Sequence, residues 1–144
     1  EHTRAHHDGD TFVCEVDGAA DVVVRVANVD APEAGQAHWR AARARLRELT
    51  RDGAMLDCYK TDRYARHVCH VRTLDGGDIA MLMLQEGLAW YPERYAGEDA
   101  VQQREAYRQA QSQAQERGRG LWEVPEPMAP WQCRRLREQR EKCK

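Results

Sequence analysis

Apolar residues gather in short runs over the first third of the chain. "TFVCEV" from Thr11 and "VVVRVANV" from Val22 are rich in β-branched side chains, and the intervening "DGAAD" carries the hairpin signal Asp17-Gly18. Two strands are predicted there, and Pro32 in "VDAPE" stops the second because proline offers no ladder donor. The period then changes. From about Ala37 to Arg51, Trp39, Ala42, Leu46 and Leu49 recur at helical spacing, arginines fill the other face, and Gly53 suits the exit. "AMLDCYK" and "RHVCHVRTL" read as two more strands around a polar turn containing Asp62-Arg63-Tyr64.

Beyond the Gly76-Gly77 turn, Asp78 is the N-cap of a short helix through Glu86 that Gly87 ends. A loop with Trp90, Tyr91 and Tyr95 follows. "GEDAVQQREAYRQAQSQAQERG" is a strongly helical run with Ala106, Ala110 and Ala114 on one stripe and Gly118 at its end. The tryptophans of "GLWEVPEPMAPW" are expected to fold back on the domain, and "QCRRLREQREKCK" has so thin an apolar face that a frayed tail is expected. His2, His6 and His7 are read as a weakly ordered start. The order of strands, helix, strands and two helices implies an α+β fold, mainly β, with a small antiparallel barrel.

The 144 residues suit one domain with a real core, and 42% hydrophobic against 32% charged residues mark a globular chain rather than a disordered one. No apolar run approaches the roughly 18–20 residues of a membrane span, so no membrane partner is expected. Glu1 in place of an initiator Met suggests a processed start. The net charge of −2 argues against a purely electrostatic binder of nucleic acid. Its distribution says more: acids crowd the first third, whereas arginines dominate Arg40–Arg51 and Arg134–Arg140. None of the five cysteines has CxxC spacing, which disfavours structural zinc. Cys58 and Cys69 flank the "DRYA" turn symmetrically, so a hairpin would set them opposite one another for a disulfide; the alternative is that Cys14, Cys58 and Cys69 are small buried apolar residues.

Candidate chemistry follows from what this organisation gathers. Asp8 and Asp10 lie at the start of one strand, Arg25 inside the next, and Asp30 and Glu33 just past that strand's end. An arginine inside "VVVRVANV" is costly unless it meets an anion. Carboxylates without His or Cys at ligand spacing favour a hard cation, Ca²⁺ or Mg²⁺. Two acids as close as those of "DGD" repel each other, a repulsion a divalent cation relieves, with Gly9 letting the chain bend closely around it. Arginines supply the planar fork a phosphate needs. A hard cation, two arginines and one spare carboxylate are sufficient parts for cleaving a phosphodiester.

"DGDTF", "RVANVDAPE", "GQAHWRAARARLREL", "DRYARHVCHV", "LQEGLAWYPERY" and "GLWEVPEPMAPW" together resemble the successive blocks of the staphylococcal nuclease family, in order from about Asp8 to Trp131. The resemblance implies an OB-fold, a five-stranded antiparallel barrel with three helices over residues 1–131, followed by a basic tail over 132–144. It implies a calcium-dependent endonuclease that cleaves DNA and RNA with little sequence preference and leaves 3′-phosphate ends. By the same resemblance, Asp10 and Asp30 are direct calcium ligands, the Ala31 carbonyl is a further ligand, and Asp8 assists through water. Glu33 matches the proposed general base, Arg25 and Arg66 the phosphate-binding arginines, and Arg63 and Tyr64 the nucleotide pocket. Tyr91 and Tyr95 are added as base-stacking candidates because they lie in a loop.

Three departures stand out: Ala65 replaces the usual glycine of the "DRYAR" turn, His7 stands where an apolar strand residue is usual, and the tail after Trp131, with two cysteines, lies outside the resemblance; none removes a catalytic group, so activity is expected. A monomer in a secreted or periplasmic setting is expected. The rival readings are an OB-fold nucleic-acid-binding module that has lost catalysis and a phosphodiesterase acting on small phosphates.

Overall fold

The computed structural model describes residues 2–143, with side chains from Asp8 to Cys143. Its strands are β1 (His2–Asp8), β2 (Thr11–Glu15), β3 (Val22–Val26), β4 (Met55–Thr61) and β5 (His67–Arg72), and they hydrogen-bond in the order β1-β2-β3-β5-β4. The sheet is mixed rather than antiparallel, because β3 and β5 run parallel with Val24 opposite His67 and Val26 opposite Cys69. A parallel pair needs a long crossover, and residues 27–66 supply one: the chain leaves β3, forms a helix, descends β4 and returns on β5 beside β3. Among the described residues no ladder joins the outer strands β1 and β4. The start of the chain is not frayed, since β1 pairs with β2 from His2 opposite Glu15 to Asp8 opposite Thr11. The side chains of His2, His6 and His7 lie outside those described.

The helices are α1 (Trp39–Leu49), α2 (Ile79–Gln85), α3 (Val101–Glu116) and α4 (Pro130–Glu138). Among the described residues four α-helices stand where three were expected, and helical residues outnumber strand residues, so the fold is α+β without being mainly β. The fourth occupies the expected tail. Pro130 at its first turn has a fixed φ suited to a helix start, the Gln132 side chain accepts from the Ala129 N–H at 2.9 Å, and Cys133 is fully buried. A Cys133–Cys143 disulfide ties off its far end. A proline start, a side-chain cap and one buried cysteine hold this helix without the broad apolar face whose lack predicted a frayed tail. Among the described residues no helix is long and apolar enough to cross a membrane.

Phe12, Val24, Val26, Leu46, Ile79, Met83 and Leu84 form one core between the sheet and α1 and α2. Each such side chain contributes about 1.5–3 kcal/mol of burial. On α3 the buried stripe is Tyr107, Ala110 and Ala114, whereas Ala106 is exposed. Tyr107 wins the inward position because its ring stacks on Tyr91 and its hydroxyl donates to Asp78 Oδ2 at 2.7 Å. Asp78 also caps α2 as expected, accepting from the Met81 N–H at 3.3 Å. The Cys58–Cys69 alternatives resolve as a disulfide between directly opposed residues of β4 and β5, and Cys14 is a buried thiol outside either disulfide.

Candidate active site

The β1–β2 turn, the end of β3 and α4 converge on one group of charges. Asp10 is almost fully buried at the tip of the first hairpin. Its Oδ2 accepts from the Ala31 N–H at 2.8 Å, its Oδ1 from the Thr11 hydroxyl at 2.9 Å, and its own carbonyl from the Val26 N–H at 2.8 Å. Asp30, equally buried, is held through its backbone: it donates to the Trp90 carbonyl and accepts from the Trp90 N–H, both at 2.8 Å. Between them lies Arg25, with Nη2 3.6 Å from Asp10 Oδ2 and 3.7 Å from Asp30 Oδ1. Its Nη1 donates to the Val26 and Val29 carbonyls at 2.6 and 2.7 Å. The arginine that interrupts an apolar strand thus meets two anions and two carbonyls, which offsets its desolvation.

Gly9 is required where the hairpin tip meets α1. A Cβ there would lie 2.6 Å from the Ala42 Cβ and 3.1 Å from the Ala31 Cβ, so glycine lets the hairpin tip lie against α1. Asp8 is turned to that same helix, where it accepts from the Trp39 indole N–H at 2.9 Å. Glu33 is half-buried at the rim. Its N–H donates to Gln36 Oε1 at 2.8 Å, and Gln36 in turn donates to the Met128 carbonyl at 3.0 Å just before α4. Burial raises the Glu33 pKa; Arg134 works against that, and the charges of Asp8, Asp10 and Asp30 reinforce it.

Arg134, from α4, is the residue that sequence reasoning missed. It donates from both Nη atoms to Asp30, at 3.1 Å to Oδ1 and 2.7 Å to Oδ2, and stands 3.5 Å from Glu33 Oε2. The signal lay in "APWQCRR", where proline after a small residue opens a helix and the arginine follows a buried cysteine. The resemblance ended at Trp131, which hid it.

The other predicted residues lie in two places. Arg66 sits in the β4–β5 turn, with Nε donating to Asp62 Oδ2 at 2.8 Å and its guanidinium over the Tyr64 ring. The Arg63 guanidinium also lies over that exposed ring and donates to its hydroxyl at 2.6 Å. Asp62 organises the turn, its Oδ1 accepting from the N–H groups of Tyr64 and Arg66. Burial pushes the Asp62 pKa up, but those bonds and the Arg66 charge outweigh it and leave the pKa lowered. Ala65 adopts φ 63°, the left-handed conformation that the usual glycine would take without strain. Tyr95 is half-exposed beneath Lys60. Tyr91 differs: it is 2% exposed, with its hydroxyl donating to Asp99 Oδ2 at 2.6 Å, so it faces the core and offers no face to a base.

Among the described residues no three His, Cys, Asp or Glu side chains converge to hold an ion. Two guanidiniums stand among these acids, and Asp8 is engaged by Trp39. The donor chemistry still fits a hard divalent cation. Two buried carboxylates and the neighbouring Ala31 carbonyl are all oxygen donors, and such ions are commonly held by one or two carboxylates with water. Burial is the main cause of the raised Glu33 pKa, and the neighbouring acid charges that add to it are ones a divalent cation would offset.

Comparison with known proteins shows the family. A family model described as "Staphylococcal nuclease homologue" matches residues 23–124. The chain is 35% identical over 129 residues to an "Uncharacterized endonuclease" of Haemophilus influenzae, covering 89% of this chain and 68% of that protein. It is 36% identical over 137 residues to a "Micrococcal nuclease" of Shigella flexneri, covering 89% and 76%. A further "Uncharacterized endonuclease", of Escherichia coli O157:H7, is 30% identical over 125 residues, covering 86% and 77%. The matched span takes in Arg25, Asp30, Glu33 and Arg66 and begins after Asp8 and Asp10, and on these likenesses the chain belongs to the staphylococcal nuclease family.

Proposed function

We propose that the chain is a calcium-dependent endonuclease that hydrolyses phosphodiester bonds of DNA and RNA with little sequence preference and leaves 3′-phosphate ends. The observation that carries this reading is Arg25 set between Asp10 and Asp30, with Glu33 near enough to feel the charges of Asp8, Asp10 and Asp30, from segments that only the fold brings together. Asp10, Asp30 and the Ala31 carbonyl would hold the calcium ion, with Asp8 supporting. When bound, such an ion draws charge from a phosphate oxygen. Glu33 takes the proton of the attacking water, and its raised pKa brings its basicity nearer neutral pH. The guanidiniums of Arg25 and Arg66 offset the extra negative charge that develops at phosphorus. Arg63, Tyr64 and Tyr95 form the surface on which the nucleotide rests, cations and exposed aromatic faces being suited to phosphates and bases.

The mixed sheet order supports an OB-type five-stranded barrel as the frame, with residues 1–131 as the nuclease domain. The two disulfides support a secreted or periplasmic setting, where thiols are oxidised. A monomer is the simplest assembly for a site built within one chain. The test is digestion of single-stranded DNA, double-stranded DNA and RNA with CaCl₂, MgCl₂ or chelator in parallel. Cleavage that appears with Ca²⁺, stops with chelator and leaves 3′-phosphate ends is the expected result. Cleavage that persists in chelator refutes the metal dependence. Tight binding without cleavage at saturating Ca²⁺ refutes the enzyme in favour of a binding module.

A further inference from the structure

The helix α4 brings a cation of its own to the acid cluster. The Arg134 fork engages both oxygens of Asp30, whose side chain is 5% exposed, while the arginine itself is 41% exposed at the rim. Burial disfavours its charge, but Asp30, Glu33 and Asp10 more than reverse that and raise its pKa. The helix is anchored without this contact. Pro130 and Cys133 are buried, Trp131 packs edge-on against Trp90, Arg137 donates to the Ala34 carbonyl, and Cys133 is disulfide-bonded to Cys143. Arg134 can therefore swing into solvent while α4 stays in place.

We propose that Arg134 is a displaceable internal counter-ion: it neutralises Asp30 when no cation is bound and competes with a divalent cation for that carboxylate, so that α4 sets the cation concentration at which the site loads. The inference rests on the reading of Asp30 as a cation ligand. The guanidinium donates to both Asp30 oxygens, so a cation binding there must share oxygens already engaged by a positive charge or displace that charge, and displacement relieves the repulsion between the two. Electrostatics points the same way. Three carboxylates, those of Asp10, Asp30 and Glu33, meet Arg25 and Arg134, and a divalent cation added beside both guanidiniums would meet their repulsion as well as the attraction of the acids. Were Arg134 instead to orient Asp30 for the cation, its removal would weaken binding, so the two roles differ in sign.

Calcium binding to the full chain is titrated by calorimetry with CaCl₂, for the unaltered protein, Arg134→Gln and Arg134→Lys. Arg134→Gln is expected to bind calcium on the order of tenfold or more tightly, since no bidentate charge is displaced. Arg134→Lys keeps the charge without the fork and is expected to fall between. Thermal melts give a second readout. In chelator Arg134→Gln melts lower than the unaltered protein, because Asp30 has lost a partner, and at saturating CaCl₂ the difference closes. Should the glutamine variant fail to fold, the lysine variant carries the comparison. Equal or weaker calcium binding in the folded variants overturns the role of Arg134 and leaves the cation reading standing. Absence of calcium binding in every form overturns the cation reading and this proposal with it.

Discussion

Replacing Ala65 by glycine should stabilise the protein, and the size of the effect follows from the turn. Ala65 lies at φ 63°, where the Cβ of an L residue crowds the backbone carbonyl at roughly 1–2 kcal/mol. Its methyl is exposed, so deleting it forfeits little burial. The bonds that shape the turn are unaffected: the Ala65 N–H donates to the Asp62 carbonyl at 3.1 Å, and Asp62 Oδ1 accepts from Tyr64 and Arg66. Glycine's greater freedom in the unfolded chain takes back about 0.5–1 kcal/mol. The net expectation is a gain of about 0.5–1 kcal/mol, which for a domain of this length is about 1–4 °C in Tm. Urea unfolding is the sharper assay, with the midpoint raised and the slope unchanged. Ala65→Ser keeps the Cβ and should show no gain. An unchanged or lowered midpoint for Ala65→Gly, or an equal gain for Ala65→Ser, refutes left-handed strain at this position.

Four further outcomes are expected. Glu33 has a folded pKa raised above its ordinary 4.5, so it contributes stability that is present below that value and lost as pH rises through the folded pKa. Glu33→Gln in chelator should therefore melt higher than the unaltered protein at pH 7, with the difference shrinking toward pH 4, while cleavage is abolished; a lower melt at pH 7 contradicts the crowding. Arg25→Ala should lose cleavage and about 3 kcal/mol of stability by leaving Asp10 and Asp30 short of a partner, whereas Arg66→Ala should lose about 10²–10³ in rate with under about 1 kcal/mol lost from its partly exposed pair with Asp62, as denaturation and rate measured together would show. Asp78→Ala removes the α2 cap and the acceptor of the Tyr107 hydroxyl and should cost about 1–3 kcal/mol in urea, more than Tyr107→Phe. Gly87→Ala sets a Cβ against the Arg119 carbonyl at φ 70° and should cost at least about 2 kcal/mol, visible as lower soluble yield and a lower melt.

Much of the fold and part of the site could be read from the chain. The helix over 37–51, the strands around Asp62, the Asp78 cap and the Gly87 stop rest on side chains acting on their own backbone, and they appear within a residue or two of expectation. Arg25 was legible for a related reason: an arginine inside a valine strand must find an anion, and it finds two. The histidine-rich start was not legible, because β1 is fixed by its ladder with β2 and not by its own composition.

What the tertiary structure alone decided concerns groups whose surroundings are assembled from distant segments. Tyr91, read as a loop residue open to a base, turns inward because Asp99 and Gln111 from later in the chain take its hydroxyl and its N–H. Ala106 yields the α3 stripe to Tyr107, whose ring and hydroxyl both find partners outside the helix. Gly9 is set by the approach of α1, and Arg134 reaches Asp30, 104 residues away, only because Cys133 and Trp131 orient α4. Local sequence determines which residues want a helix, a turn or a counter-charge, since those preferences act over a few bonds. Which counter-charge they receive depends on packing between elements, and no short stretch of this sequence encodes that.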